Sequence, residues 1–293
     1  MHWWARQQLR SKNPQTRREA VEKLMTEPPA DAATLVLSVL DDPEPAVRKA
    51  GMIAIAKLQI TGVASTVVRG LRDTSPEVRE ESVCTLRAAG DANAVSALVG
   101  VLNDSDPDVR EAAVEALAKI QSKLAIEPLV PVLADPQSSI RNAVAGALPQ
   151  IDPEWSRSDA ARRAIPALKT RLTSSDYRVR QAAADVLGRI GEIQHAEPTL
   201  NSFTDPVHDK QMAVVQSLLQ MAADWDDDVR LAAVEALGRV GDERAREFLA
   251  GRLNDAVPWV RQAAECALKQ LRSTEAGTTC TTIGPEDRRG GTD

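Results

Sequence analysis

The chain has 293 residues, 43% of them apolar, and carries a formal net charge of -6 with a pI near 5.3. That apolar content is ample for a buried core, whereas an acidic field repels phosphate backbones and argues against nucleic acid as a partner. Aromatic residues make up only 3%, so the core is expected to be built from Ala, Val, Leu and Ile in closely approaching helices.

The first segment, "MHWWARQQLR", lacks the apolar stretch of a secretory signal. Trp3 and Trp4 among basic residues fit either a helix capping the first repeat or a segment lying on an anionic membrane surface. No run in the chain approaches the roughly 18 apolar residues that span a bilayer. Cys84, Cys266 and Cys280 are odd in number and in no C-x-x-C spacing, so neither a disulfide framework nor a zinc site is indicated. The expected compartment is the cytoplasm.

From residue 11 onward the sequence repeats itself. Arg17, Arg48, Arg79, Arg110 and Arg141 follow one another at intervals of 31 residues. Arg180 comes after 39, which places an eight-residue insertion around Trp155. A further 31 leads to position 211, then 19 to Arg230 and 31 to Arg261. On this ruler the unit at 205–224 has lost about one short helix.

Six residues before each arginine stands an aspartate: Asp42, Asp73, Asp104, Asp135, Asp205, Asp224 and Asp255, with Ser11 and Ser174 as exceptions. Three before it come Pro14, Pro45, Pro76, Pro107 and Pro258, suited to the first position of a helix. Asn13, Ser75 and Asp106 precede such prolines as candidate caps. After each arginine the apolar positions recur as one helical stripe, for example Ala113, Val114, Leu117 and Ile120. Gly90, Gly191 and Gly241, eleven residues past it, are expected to close the helix in a left-handed conformation. What remains of each unit, such as "DANAVSALVGVL" at 91–102, reads as a second short helix.

Each unit is therefore a helical hairpin too small to bury both of its stripes, so neighbours must stack and share a core. The Asp and Arg positions are expected to form structural ladders from unit to unit. The position four past the arginine is apolar in earlier units but Glu265 in the last, where no further hairpin would cover it. The array is expected to occupy 1–272, with 1–16 as its cap, and 273–293 to be a disordered tail.

The unit D-x-x-P-x-V-R-x-A-A-x-x-A-L-x-x-I-G-D resembles the HEAT-like repeat, in the short variety first associated with phycobilisome lyases. The resemblance implies an all-α solenoid of stacked two-helix repeats, irregular in its C-terminal half, with second helices lining a concave side where partners are usually bound. It does not imply a lyase, since adaptors, chaperones, inhibitors and a few enzymes share the repeat. Two functions follow: a non-enzymatic scaffold or adaptor for another protein, and, alternatively, a lyase or chaperone-lyase component handling a tetrapyrrole-bearing protein.

Candidate chemistry is sparse. Helical-repeat metal hydroxylases use His-Glu pairs, but His2, His195 and His208 are the only histidines and none precedes Glu. No metal, cofactor or catalytic residue is assigned. The second-helix positions expected on the concave side hold no lysine and much small or apolar ground, including Ser65, Ser96, Pro166 and Thr170. From them Leu35, Val39, Val101, Pro131, Val132 and Phe248, with Arg69 and Arg171 as polar anchors, are the candidate partner contacts. The alternative is that curvature packs these residues against one another. Trp155, Tyr177, Trp225 and Trp259 fall in loops of the second half, as an edge patch or as covers for their own hairpin ends.

Overall fold

The computed structural model describes residues 3–90, 92–191 and 206–273, the side chains of 92, 206–211 and 272–273 excepted. Among them every regular element is helical: seventeen α-helices, several short 3-10 turns and no strand. His2, His195, Asp205, Cys280, the His208 side chain and the tail expected beyond residue 273 lie outside the described residues.

In chain order the helices are α1 (Trp3–Gln8), α2 (Pro14–Thr26), α3 (Ala32–Ser38), α4 (Pro45–Lys57), α5 (Ala64–Gly70), α6 (Pro76–Ala89), α7 (Val95–Gly100), α8 (Pro107–Ile120), α9 (Ile126–Leu129) and α10 (Ser138–Ile151). They continue as α11 (Asp159–Arg163), α12 (Ile165–Arg171), α13 (Tyr177–Gly191), α14 (Pro206–Met221), α15 (Asp227–Val240), α16 (Arg246–Arg252) and α17 (Pro258–Ser273).

Proline opens α2, α4, α6, α8 and α17, where its missing N–H costs nothing. Asn13 and Asp106 cap as expected: their side-chain oxygens accept the N–H groups of Gln15 and Asp108, each at 2.9 Å. Ser75 does not. Its backbone is extended as at a cap, but its hydroxyl donates to the Glu77 carboxylate at 2.5 Å, the stronger acceptor nearby.

The helix-closing position is left-handed at Gly90 (φ 63°) and Gly241 (φ 69°), and equally at Gln59 (φ 51°) and Gln121 (φ 55°), where a side chain tolerates the strain. Gly191, the last described residue of α13, departs from that expectation, since its φ is not left-handed. A Cβ there would lie 2.9 Å from Val240 Cγ2 and 3.1 Å from Val214 Cγ1, so this glycine serves a close approach of helices.

The described residues fall into two compact units, one drawn from 1–129 and 137–153, the other from 130–136 and 154–293. In the first, α2, α4, α6, α8 and α10 stack in succession, and α3, α5, α7 and α9 form a second layer. The stripes read from the sequence are its core: Val21, Val83, Val109, Ala113, Val114 and Leu117 are fully buried. The second helix after α8 is broken into a 3-10 turn at Lys123–Ala125, α9 and another 3-10 turn at Val130–Ala134. Pro128 and Pro131 explain the break, because each removes a backbone donor.

In the second unit α13, α15 and α17 stack, with α12 on α13 and α16 on α17. Helix α14 packs against both α13 and α15, so it is the second helix of the hairpin begun by α13. This corrects the sequence ruler. Position 211 is not a first-layer repeat position, because α13 stacks directly on α15; the described residues between Arg180 and Arg230 form one enlarged unit, in which the stretch 205–224 holds the single helix the ruler expects there. The insertion around Trp155 forms a 3-10 turn, Trp155–Arg157, and α11, and the turn packs onto α13. Glu265, at the position that is apolar in earlier units, is exposed.

Candidate interaction surface

The recurring charged residues are consumed inside the array. Arg48 lays its guanidinium on Asp73 of the next repeat with two parallel bonds of 2.7 and 2.6 Å, while its third nitrogen donates to the Asp42 carbonyl at 2.7 Å. The same fork joins Arg17 to Asp42, Arg79 to Asp104 and Arg230 to Asp255. In these four the partner lies 25 residues ahead. Arg180 reaches 44 ahead, to Asp224, which marks 19 residues added to that unit. Each aspartate also accepts an N–H two residues on, as Asp73 does from Ser75 and Asp104 from Asp106, both at 2.9 Å.

These side chains are largely shielded from solvent. Burial pushes the Asp42, Asp73 and Asp104 carboxyls up, but the partner guanidinium and the accepted N–H outweigh it and hold all three below the usual carboxylate range. Asp255 is held low in the same way, by Val257 N–H and Arg230. Groups so engaged fasten one repeat to the next and are not available to a substrate. Among the described residues there is also no group of three or more His, Cys, Asp or Glu able to hold a metal ion.

The second-helix candidates divide by unit. In the first, Leu35, Val39 and Val101 are buried, and only Arg69 is exposed, paired with Asp41 at 3.2 Å. Apart from Arg69, what these second-helix positions show to solvent is small and neutral: Thr34, Ser38, Ser65, Ser96 and Gly100. In the second unit Val132 is buried, whereas Pro131, Arg171 and Phe248 are half-buried and Pro166, Thr170, Gln216 and Gln220 exposed. The Arg252 guanidinium stands 5.2 Å from the Phe248 ring centroid and holds that ring along α16. In the first unit Leu35, Val39 and Val101 thus lie beneath the exposed residues of the face, and in the second Val132 does the same.

The aromatics expected in loops also separate, and only Trp225 lies in one: Tyr177 and Trp259 stand in the first turns of α13 and α17, and Trp155 in a 3-10 turn. Trp155 is buried and pins the insertion, while Trp225 is 78% exposed and Trp259 43%. Arg180 lies 5.2 Å from the Trp225 ring centroid, so one face of that indole covers a ladder guanidinium. Tyr177 is half-buried, with the Arg178 guanidinium 5.4 Å from its ring centroid. At the N-terminus Ala5 is buried and Trp4 carries the Lys23 ammonium 4.3 Å from its centroid, but Trp3 is 73% exposed and covers nothing.

Sequence reasoning missed a cleft of about 470 Å³ in the second unit, lined by Arg162, Arg163, Ile165, Pro166, Lys169 and Ala213. Only Pro166 had been placed on the second-helix face. The available signal was the pair of departures from the 31-residue period, which flank it.

Stacked helical hairpins joined by a buried Asp–Arg ladder define an all-α helical-repeat protein. The family described as HEAT repeats matches residues 64–149 and 215–278, and a single HEAT repeat matches 164–194. The chain belongs to the HEAT-repeat family. None of the curated proteins compared with it matches. Among solved structures, an engineered protein is 22% identical over 92% of this chain and 78% of its own, with a TM-score of 0.46. The complex of CpcE and CpcF of phycocyanin lyase from Nostoc sp. PCC7120 is 19% identical over 91% and 93%, with a TM-score of 0.45. Human deoxyhypusine hydroxylase is 20% identical over 92% and 95%, with a TM-score of 0.37. No activity transfers at such scores.

Proposed function

We propose that this chain is a non-enzymatic scaffold that binds another protein through its second-helix face. One contrast carries the reading. Residues that recur from repeat to repeat point inward and hold the stack, while those that change, such as Arg69, Pro131, Arg171 and Phe248, reach the surface. A structure invariant within and variable outside is suited to recognition, with Leu35, Val39 and Val101 buried beneath the second-helix positions of the first unit and Val132 beneath those of the second. No described helix is long and apolar enough to cross a membrane. Cys84 and Cys266 are in no disulfide among the described residues, and a reducing compartment such as the cytoplasm is consistent with that.

The test is affinity capture from a native lysate with mass spectrometry, repeated with Arg69→Glu and Phe248→Asp after circular dichroism has shown both variants folded. A protein retained by the wild type and lost from at least one variant is expected. Equal capture by all three would remove the second-helix face from consideration.

A further inference from the structure

The two departures from the repeat meet at one place. Helix α11, which exists only because of the insertion near Trp155, supplies Arg162 and Arg163; α12 supplies Ile165, Pro166 and Lys169; and α14, the second helix of the enlarged unit, supplies Ala213. Together they line the cleft of about 470 Å³, within the range of pockets that take a few side chains of a ligand. Its floor is apolar, from Ile165, Pro166 and Ala213, and its rim is cationic.

That rim gathers three cations in a chain whose net charge is -6. Arg162 shares its charge with Asp159 at 2.8 Å, a carboxylate 84% exposed, and that pair is correspondingly weak. Lys169 is exposed and has no carboxylate in reach among the described residues. Ile165 and Lys169, four apart on α12, lie on one helix face, so the apolar floor and a cation are presented together.

We infer that this cleft receives a linear segment of a partner protein in which acidic side chains flank an apolar one. The apolar side chain would rest on Ile165 and Pro166, and the carboxylates would meet Arg162, Arg163 and Lys169. This rests on the scaffold reading above and names the partner's chemistry. A nucleic acid suits the cleft less well, because a polyanion meets the acidic field of the whole chain and gains nothing from an apolar floor.

The test is selection of a displayed library of random peptides of about twelve residues against the full chain and against the double variant Arg162→Glu/Lys169→Glu, with circular dichroism melts of both proteins. Wild-type selection is expected to enrich peptides with two or more acidic residues beside an apolar one. A representative peptide, labelled and followed by fluorescence anisotropy, is expected to bind the double variant about tenfold more weakly or worse, and to bind the wild type less well as salt rises. Enrichment without acidic bias, no enrichment, equal binding to the folded double variant, or tighter binding of a single-stranded oligonucleotide than of the peptide would each overturn the inference. The scaffold reading is separated by the lysate capture. If the double variant still retains the captured protein, the cleft proposal fails and the scaffold stands; if the wild type captures nothing, both fail.

Discussion

Arg79 makes three strong bonds at once, two to Asp104 at 2.7 and 2.6 Å and one to the Asp73 carbonyl at 2.9 Å, so truncating it strands a shielded carboxylate. Arg79→Met is expected to cost about 2 kcal/mol in denaturant unfolding. Adding Asp104→Asn, which removes the stranded charge while keeping an acceptor for the Asp106 N–H, should recover part of the loss; a double variant no more stable than the single one would deny the stranding account. Because the folded state holds Asp42, Asp73, Asp104 and Asp255 below their unfolded range, their stabilisation is present in full above about pH 5 and is lost as pH falls through the folded values. Asp104→Asn should therefore flatten the acid limb of the stability curve. Gln121, at φ 55°, sits where glycine stands in sister repeats, and Gln121→Gly is expected to add about 1 kcal/mol, measured by the shift of the urea midpoint. The ladder was legible in sequence because each partner recurs at the repeat spacing. Gly191 was not, because its reason is the approach of Val214 and Val240 from helices that come later in the chain.

At the scale of elements, apolar periodicity revealed the first helices and the insertion, but not how the enlarged unit is assembled. The interval of 31 leads to position 211 because helices on either layer carry similar stripes; the stacking of α13 on α15 and the Arg180 to Asp224 pairing show which helix belongs to which layer. The candidate contacts were half legible for a related reason. Periodicity locates Leu35, Val39, Val101 and Val132 on the second helices, but whether such a position is covered depends on the repeat stacked beside it. Among the second-half aromatics the same ambiguity resolves by burial, and it can be measured. Trp155→Ala removes a ring that is 7% exposed and is expected to cost about 3 to 5 kcal/mol. Trp225→Ala, at 78% exposure and losing only its contact with the Arg180 guanidinium, should cost about 1 kcal/mol or less. Comparable losses from the two would contradict the placement of Trp155 against α13.

For the molecule as a whole, because helices within each unit stack on their neighbours in succession, stability should behave as a sum of local terms more than as a single global transition. Within the second unit, α15 lies between α13 and α17 and also touches α14, and Leu237 on α15 is fully buried. Leu237→Ala is expected to cost about 2 to 5 kcal/mol at that point. In native-state hydrogen exchange the loss of protection should concentrate in α13, α15 and α17, while α2, α4 and α6 in the first unit exchange as in the wild type. The reason is that Leu237 supplies cover only to the helices it touches, and the ladder transmits strain no further than the next aspartate. Equal loss across α2 to α17 would mean that the two units open as one cooperative body, and nearest-neighbour stacking would then be the wrong description of what holds this chain together.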